Sequence, residues 1–275
     1  MGLRIQTNMA SISAQRVLSV QQHRTEHAAA ALASGSRIIQ AADDAAGLAI
    51  SESLKGQIRG IAMARNNAFN AGSAIQVSEG GLNEINNILI RLRELGIQAA
   101  SDNIGDQERG YLNLEAKQLI EESDRIAKTT RFGDKVLLDG SGGEMQFHVG
   151  AFGGEENVIK YSLSSNATTS ELGINSVDVG DKDTARDALQ TVDEALQKVG
   201  AMRASFGSIQ SRLNATTSNL DIQHENLSAA NSRIRDTDVA KETAEMASAQ
   251  VLQNAAVSVL AQANAFPSVA LKLMA

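Results

Sequence analysis

Hydrophobic residues recur at every seventh position along two long stretches of the chain. The longer series starts at Ala185 and ends at Ile234 without one polar interruption. This spacing keeps an apolar seam on one side of a helix and is typical of a coiled coil. A second series, over residues 54–89, has the same step. At about 1.5 Å per residue, each helix would be on the order of 70 Å long, which predicts an elongated antiparallel rod. The seam of this rod is predicted to consist of Leu54, Ile61, Leu82, Leu89, Phe206, Leu213, Leu220 and Leu227.

The two ends of the chain carry weaker apolar stripes. Residues 3–39 show an alanine-rich seven-step series that includes Val17, and residues 239–266 have a similarly thin stripe on one helical face. Because such stripes bury little surface, each end is predicted to be marginal or disordered alone in water. An antiparallel rod brings the ends together, so we expect them to pair and other subunits to cover what remains exposed. The apolar surface at the C-terminal end is predicted to consist of Leu252, Leu260, Val269, Leu271 and Leu273.

These patterns divide the chain into two domains. Residues 1–44 and 236–275 are predicted to form a coiled-coil domain, and residues 45–235 a rod-like helical domain. Within the rod, apolar and polar residues alternate in a way that predicts a β-hairpin at about residues 144–164. Residues 166–183 are polar and are expected to form a surface excursion. The predicted fold class is therefore mainly α, an elongated antiparallel coiled coil with a small β-hairpin region.

Composition narrows the possible functions. The chain has no cysteine, which excludes disulfides, thiolate metal sites and cysteine nucleophiles. Its net charge is −7 and it has no block of lysine or arginine, so nucleic acid is not expected as a partner. No apolar run approaches the length of a membrane span, and the first residues lack the apolar core of a signal peptide. If the protein leaves the cell, we expect it to use a route without a cleaved signal.

Several long motifs in the chain match those of a known family. One of them reads ASGSRIIQAADDAAGLAI from Ala33, and another reads ENLSAANSRIRDTD from Glu225. With these motifs, which occur at both ends and in the middle, the chain resembles the bacterial flagellins over essentially its whole length. The matching motifs cover residues 6–16, 33–50, 57–61, 91–100, 225–238 and 249–267.

The resemblance implies a structural subunit, without catalytic activity or cofactor, that polymerises into the extracellular flagellar filament for swimming motility. The terminal coiled coil would line the filament core, and the outer variable domains of larger flagellins would be absent. The implied partners are other flagellin subunits, in a homopolymer or a mixed filament, an export chaperone on the C-terminal helices, the filament cap and the hook-junction proteins. Export of the unfolded chain by the flagellar type III system is also implied. Arg91, Leu95 and Glu115 match flagellin residues recognised by the vertebrate innate-immune receptor.

Two alternatives stay open at this point. A junction protein between hook and filament would share the terminal helices, although the middle motifs favour a filament subunit. A zinc metallopeptidase would use His23-x-x-Glu26-His27, whose spacing places two imidazoles on one helical face with a carboxylate as base. A catalytic zinc also needs a third protein ligand and a dry cavity, and the polar and alanine-rich neighbours offer neither. At His23 and His27 the resemblance leads one to expect Ser, Asn or Leu.

Overall fold

The computed structural model describes the backbone of residues 7–162 and 165–274, and the side chains of these residues except 162 and 266–274. Most of the described residues are helical, which confirms the predicted fold class. The helices are α1 (Met9–Ser34), α2 (Ala45–Ala99), α3 (Asp106–Thr129), α4 (Thr169–Leu172), α5 (Lys182–Arg235) and α6 (Val239–Met274). The strands are β1 (Arg131–Phe132), β2 (Lys135–Val136), β3 (Glu144–His148) and β4 (Val158–Ser162).

The described residues form two compact units. The terminal unit contains the residues up to Gly56 and those from Asn226 onward, and the central unit is Gln57–Glu225. Helix α2 begins in the terminal unit and continues into the central unit, and α5 does the reverse. The domain boundaries predicted after residues 44 and 235 stay a prediction.

Helices α2 and α5 run antiparallel in the central unit. Arg65 on α2 pairs with Asp221 near the end of α5, at 2.9 Å. Arg93, much later on α2, pairs with Asp193 near the start of α5, at 2.7 Å. Because the order of partners is opposite along the two helices, their directions are opposite.

The core of the central unit lies beneath these surface ion pairs. Apolar side chains at every third or fourth position of α2 and α5 are removed from water there, and that burial is the main force that holds the helices together. Two residues of the predicted seam, Leu54 and Leu227, lie in the terminal unit and are half-buried. The seam residues that are buried are Ile61, Leu82, Leu89, Phe206, Leu213 and Leu220.

Helix α3 folds back along α2 through a turn that one arginine stabilises. The Arg109 side chain is buried, and its Nε donates to the Ala99 carbonyl at 2.9 Å. Its Nη2 donates to the Ser101 carbonyl at 3.0 Å. These bonds satisfy the last carbonyl group of α2, which has no partner within the helix, and a carbonyl group of the turn that follows it. At the start of α3, the Glu108 carboxylate accepts the Gly105 N–H at 2.9 Å, which adds negative charge where the helix dipole favours it.

A β-hairpin covers one side of the core, in agreement with the alternating pattern of the sequence. Strands β3 and β4 are antiparallel, with Met145 opposite Tyr161 and Phe147 opposite Ile159. The inward side chains pack on the helices, and the Tyr161 ring lies 5.6 Å from the ring of Phe206 on α5. The hairpin thereby ties β4 to the middle of the α5 seam.

The segment between β4 and α5 differs from its prediction. Residues 166–183 were expected to form a polar surface excursion, but Leu172, Ile174 and Val179 are buried in the core. The backbone N–H of Val179 also donates to the Asn113 side chain on α3, at 3.3 Å. The prediction was wrong because these apolar residues are spaced irregularly among polar ones, so no helical or strand period marks them.

The Tyr161 hydroxyl is expected to stay protonated until about pH 12, because burial raises its pKa to about 12. The chain has two tyrosines, so Tyr111→Phe leaves Tyr161 as the one phenol that changes the ultraviolet absorbance on ionisation. An exposed tyrosine has a pKa of about 10, so the contribution of Tyr161 to stability is complete below that pH and is lost as the pH rises towards 12. Ionisation near pH 10 in a variant whose circular dichroism is unchanged would contradict this expectation.

Candidate functional site

Helices α1 and α6 of the terminal unit pack side by side in opposite directions. The Asn8 amide donates to the Ala263 carbonyl at 2.8 Å. The Ser11 hydroxyl donates to the Asn264 side chain at 2.9 Å. Asn8 also caps α1, because its side-chain oxygen accepts the Ser11 N–H at 3.2 Å. The beginning of α1 is thus bound to the later part of α6.

The buried stripe between α1 and α6 consists almost entirely of alanine. Val17, which the sequence pattern places on the stripe, is instead 44% exposed. The prediction was wrong at Val17, although Ala31 of the same series is buried, because alanine and valine occur all around α1 and apolar content alone does not identify its inner face. An alanine stripe removes little apolar area from water, and the pairing is correspondingly weak. The buried residues are Ala14, Gln21, Ala28 and Ala31 on α1 and Ala249, Ala256 and Ala263 on α6.

Large apolar side chains lie on the outer faces of the same two helices. Leu252, part of the predicted apolar surface, is 45% exposed, whereas Leu260 is half-buried. The side chains of Val269, Leu271 and Leu273 lie outside the described residues. Exposed apolar area on this scale is typical of a surface that another molecule covers. The exposed large apolar residues are Met9, Ile12, Val17 and Val20 on α1 and Val239, Val251, Leu252, Val257 and Val259 on α6.

The segments that connect these helices to α2 and α5 are bonded to each other. The Arg37 N–H donates to the Arg235 carbonyl at 2.7 Å. The Thr237 N–H donates to the Gly35 carbonyl at 3.0 Å. The Arg37 guanidinium also donates to the Ile234 carbonyl, 197 residues away, at 2.7 Å. Gly35 has a φ of 67°, a left-handed conformation that glycine adopts without strain, and it ends α1.

The two histidines of the H-x-x-E-H pattern contact different carboxylates. His23 Nδ1 lies 3.6 Å from Glu26, and both side chains are exposed. His27 Nε2 lies 3.3 Å from Asp43, which is in the connection to α2. The pKa of Asp43 is lowered, chiefly because its carboxylate accepts the Gln40 N–H. Among the described residues, no group of three or more His, Cys, Asp or Glu side chains could hold a metal ion.

Arg91 and Glu115 form an ion pair across α2 and α3. Arg91 Nη2 lies 2.8 Å from Glu115, and Nη1 lies 3.0 Å from Glu94. The hydrogen bond to Glu115 is the main reason that the pKa of Arg91 is raised. Leu95, the third residue of this set, is fully buried in the core. The resemblance alone did not reveal this difference, because helix-surface and core positions alternate within one turn.

Two protein-family models match the chain. The model described as the bacterial flagellin N-terminal helical region matches residues 5–142. The model described as the bacterial flagellin C-terminal helical region matches residues 189–274. The two matches therefore include α1, the whole of α2, and α6. No helix in the described part of the chain is long and apolar enough to cross a membrane.

Curated relatives align with nearly the whole chain. It is 40% identical over 271 residues to the flagellin of Halalkalibacterium halodurans, covering 98% of this chain and 99% of that protein. It is 38% identical over 276 residues to flagellin FlaB1 of Treponema pallidum, covering 94% and 96%. These relatives have nearly the same length as the aligned part of this chain.

Solved structures agree with the fold. The crystal structure of Bacillus cereus flagellin matches 60% of this chain and 94% of its own, with 29% identity and a TM-score of 0.51. The structure of a putative flagellar hook-associated protein from Vibrio parahaemolyticus matches 70% of this chain and 100% of its own, with a TM-score of 0.59. The latter is only 13% identical, so it supports the fold alone.

Proposed function

Because the chain belongs to the bacterial flagellin family, it is a structural subunit of the extracellular flagellar filament and not an enzyme, and we propose that α1 and α6 provide the surface through which its copies polymerise. The observation that carries the proposal is the contrast between the two sides of this helix pair. The inner side is alanine, whereas the larger side chains such as Val17 and Leu252 face outward. A single copy therefore leaves the larger apolar side chains of α1 and α6 exposed to water, and neighbouring copies can bury them.

Self-assembly of the purified chain tests this proposal. Sulfate salts strengthen apolar burial, so adding ammonium sulfate to the monomer is expected to produce long filaments in negative-stain electron microscopy. The alternative, a junction protein between hook and filament, predicts short or no polymers from the chain alone. The similarity to a hook-associated protein extends to the fold only, so it does not decide between a filament subunit and a junction protein. The length of the polymers in this experiment does.

Leu252→Ala is expected to impair assembly while leaving the monomer as stable as before. Truncating an exposed leucine removes about 1.5 kcal/mol of burial that only the polymer makes, which raises the critical concentration about tenfold. The control is Leu220→Ala, because Leu220 is buried in the central unit and its truncation should cost the monomer about 3 kcal/mol. Sedimentation measures the critical concentration and thermal melting measures stability. If Leu252→Ala destabilised the monomer as much as Leu220→Ala does, the assignment of Leu252 to an assembly surface would be wrong.

We further propose that a flagellar export chaperone covers α6 before assembly and that the chain leaves the cell through the type III exporter. Leu252 and the rest of the apolar surface on α6 would otherwise associate early. Chaperone and neighbouring subunit would then compete for one surface, so that polymerisation starts outside the cell. The filament cap and the hook-junction proteins are the further partners that the family membership supports.

Arg91 and Glu115 are proposed as contacts for the vertebrate innate-immune receptor. Both side chains are partly exposed and form one polar feature on α2 and α3. Leu95 is buried, so its proposed part is to support this surface from below. Arg91→Ala and Glu115→Ala are each expected to weaken receptor activation at least about tenfold in reporter cells, since each removes a charged hydrogen bond.

Arg93→Ala is the matched control for these receptor variants. Arg93 is equally exposed on α2, but it pairs with Asp193 of α5 at 2.7 Å. This variant should activate the receptor like the unmodified protein. Equal activation by all three variants would refute the proposed receptor surface without bearing on filament formation.

A further inference from the structure

His27 joins α1 to the connection that leads to α2. Its Nε2 lies 3.3 Å from the Asp43 carboxylate, and the side chains of His27 and Asp43 are 39% and 18% exposed. The same carboxylate accepts the backbone N–H groups of Ile39 and Gln40, each at 3.0 Å. One side chain of α1 is therefore in contact with the group around which this connection turns.

The charged groups around His27 are mainly negative. Its side chain also lines a cavity of about 420 Å³ between α1 and α6 in the terminal unit. The other charged residues that line this cavity are Arg24 on α1 and Glu242 and Glu245 on α6. Together with Asp43 of the connection, three carboxylates and one guanidinium therefore face the imidazole.

Protonation of the His27 ring strengthens its contact with Asp43. Imidazole gains its proton between about pH 8 and 5, whereas the Asp43 carboxylate stays ionised there, because the N–H of Gln40 lowers its pKa. The proton adds a positive charge and makes both ring nitrogens donors, so the contact becomes a charge-assisted hydrogen bond. The two glutamates of α6 attract the charged ring as well, and Arg24 opposes this attraction as one positive group against three negative ones.

We propose that the contact between His27 and Asp43 is a pH-sensitive device that orders the terminal helices and thereby favours polymerisation at mildly acidic pH. This inference rests on the proposed polymerisation through α1 and α6. The alanine stripe between these helices contributes little burial, so one charged contact changes the stability of the pair by a sizeable fraction. The contribution is present at about pH 5.5, where histidine is protonated, and is lost as the pH rises to about 8. A helix pair that is already ordered loses less conformational entropy when a neighbouring copy binds it.

The critical concentration of polymerisation at two pH values tests this inference. Sedimentation of the unmodified chain at one ionic strength should give a critical concentration about threefold lower at about pH 5.5 than at about pH 8. His27→Gln should remove this difference, because the glutamine amide can donate to Asp43 but cannot gain a proton. Asp43→Asn should remove most of it, since the asparagine oxygen still accepts the N–H groups of Ile39 and Gln40 but carries no charge.

His23→Gln is the matched control. His23 is on the same helix and also lies beside a carboxylate, with Nδ1 3.6 Å from Glu26, but these side chains are 79% and 74% exposed. An ion pair so exposed contributes little, so this variant should keep the pH dependence of the unmodified chain. His23→Gln and His27→Gln remove the same titratable group, so a difference between them does not come from net charge. Loss of the pH dependence in both variants would show a general charge effect and would overturn the inference.

The possible results distinguish this inference from the proposed function. If the unmodified chain and His27→Gln form filaments with the same pH dependence, the inference is refuted, although the proposed function stands. If the unmodified chain forms no filaments at either pH, the proposed function fails, and digestion of the monomer by a broad-specificity protease tests the contact. Relative to an unfolded substrate at each pH, the terminal helices should be digested about threefold more slowly at about pH 5.5 than at about pH 8. Equal relative rates at the two pH values, or the same ratio in His27→Gln, would refute the inference in that case.

Discussion

Replacing Phe206 by alanine is expected to lower the free energy of unfolding of the central unit by about 4 kcal/mol. The ring is fully buried in the α5 seam and lies against Tyr161 of the β-hairpin, at a centroid distance of 5.6 Å. Its removal leaves a cavity and also deletes an aromatic contact. Chemical denaturation of the monomer, followed by circular dichroism, measures the loss.

Phe69→Ala is the matched control for this variant. Phe69 is on α2 in the same unit, but its ring is 53% exposed and lies 5.7 Å from the Arg65 guanidinium. Truncation of an exposed ring forms no cavity, so we expect a loss below about 1 kcal/mol. Similar losses for both variants would show that the seam of α5 does not dominate the stability of the central unit.

Deleting the residues after Asn254 is expected to abolish polymerisation altogether. The deletion removes Ala256 and Ala263 from the buried stripe, together with the groups on α6 that bond Asn8 and Ser11. Helix α1 is then left without most of its partner, and its thin apolar stripe does not keep it folded alone. Sedimentation and electron microscopy after salt addition measure assembly, and a pull-down with the export chaperone measures binding, which we also expect to be lost.

The central unit provides the internal control for the truncated chain. Its residues end at Glu225, so its melting temperature should be unchanged. A truncated chain that melts normally, binds the chaperone and still builds filaments would refute the proposal that chaperone and neighbouring subunit share one surface on α6.

The sequence predicted the long helices well because their seams are made of large residues. Leu82 on α2 and Phe206 and Leu213 on α5 stand between neighbours without large apolar side chains, so the period of seven identifies the inner face. The β-hairpin was predictable for a similar reason, since a period of two has no overlap with a helical period. In both cases the side-chain pattern alone carried the information.

For the terminal helices, the side-chain pattern does not predict which face is buried. On α1, the inner position is taken by Gln21 and alanines, while Val17 faces outward, so hydrophobicity no longer distinguishes the two sides. The contact between His27 and Asp43 depends on the path of a connecting segment, which no periodic pattern describes. The hydrogen bond from Asn8 to the Ala263 carbonyl joins helices that are distant in sequence. Their proximity follows from the register of α1 against α6, and only the structure supplies that register.

The hydrogen bond from Asn8 to the Ala263 carbonyl also determines when α1 and α6 can pair during synthesis of the chain. Its two residues are 255 positions apart, although they are neighbours in space. A ribosome adds about 5–20 residues per second, so the segment that forms α1 waits on the order of 10 to 50 seconds before the ribosome has made its partner. During that time no segment of the nascent chain can complete the pair. The complete pairing of α1 with α6 therefore forms only after synthesis has passed residue 263. A chain interrupted earlier cannot present the paired surface to another copy.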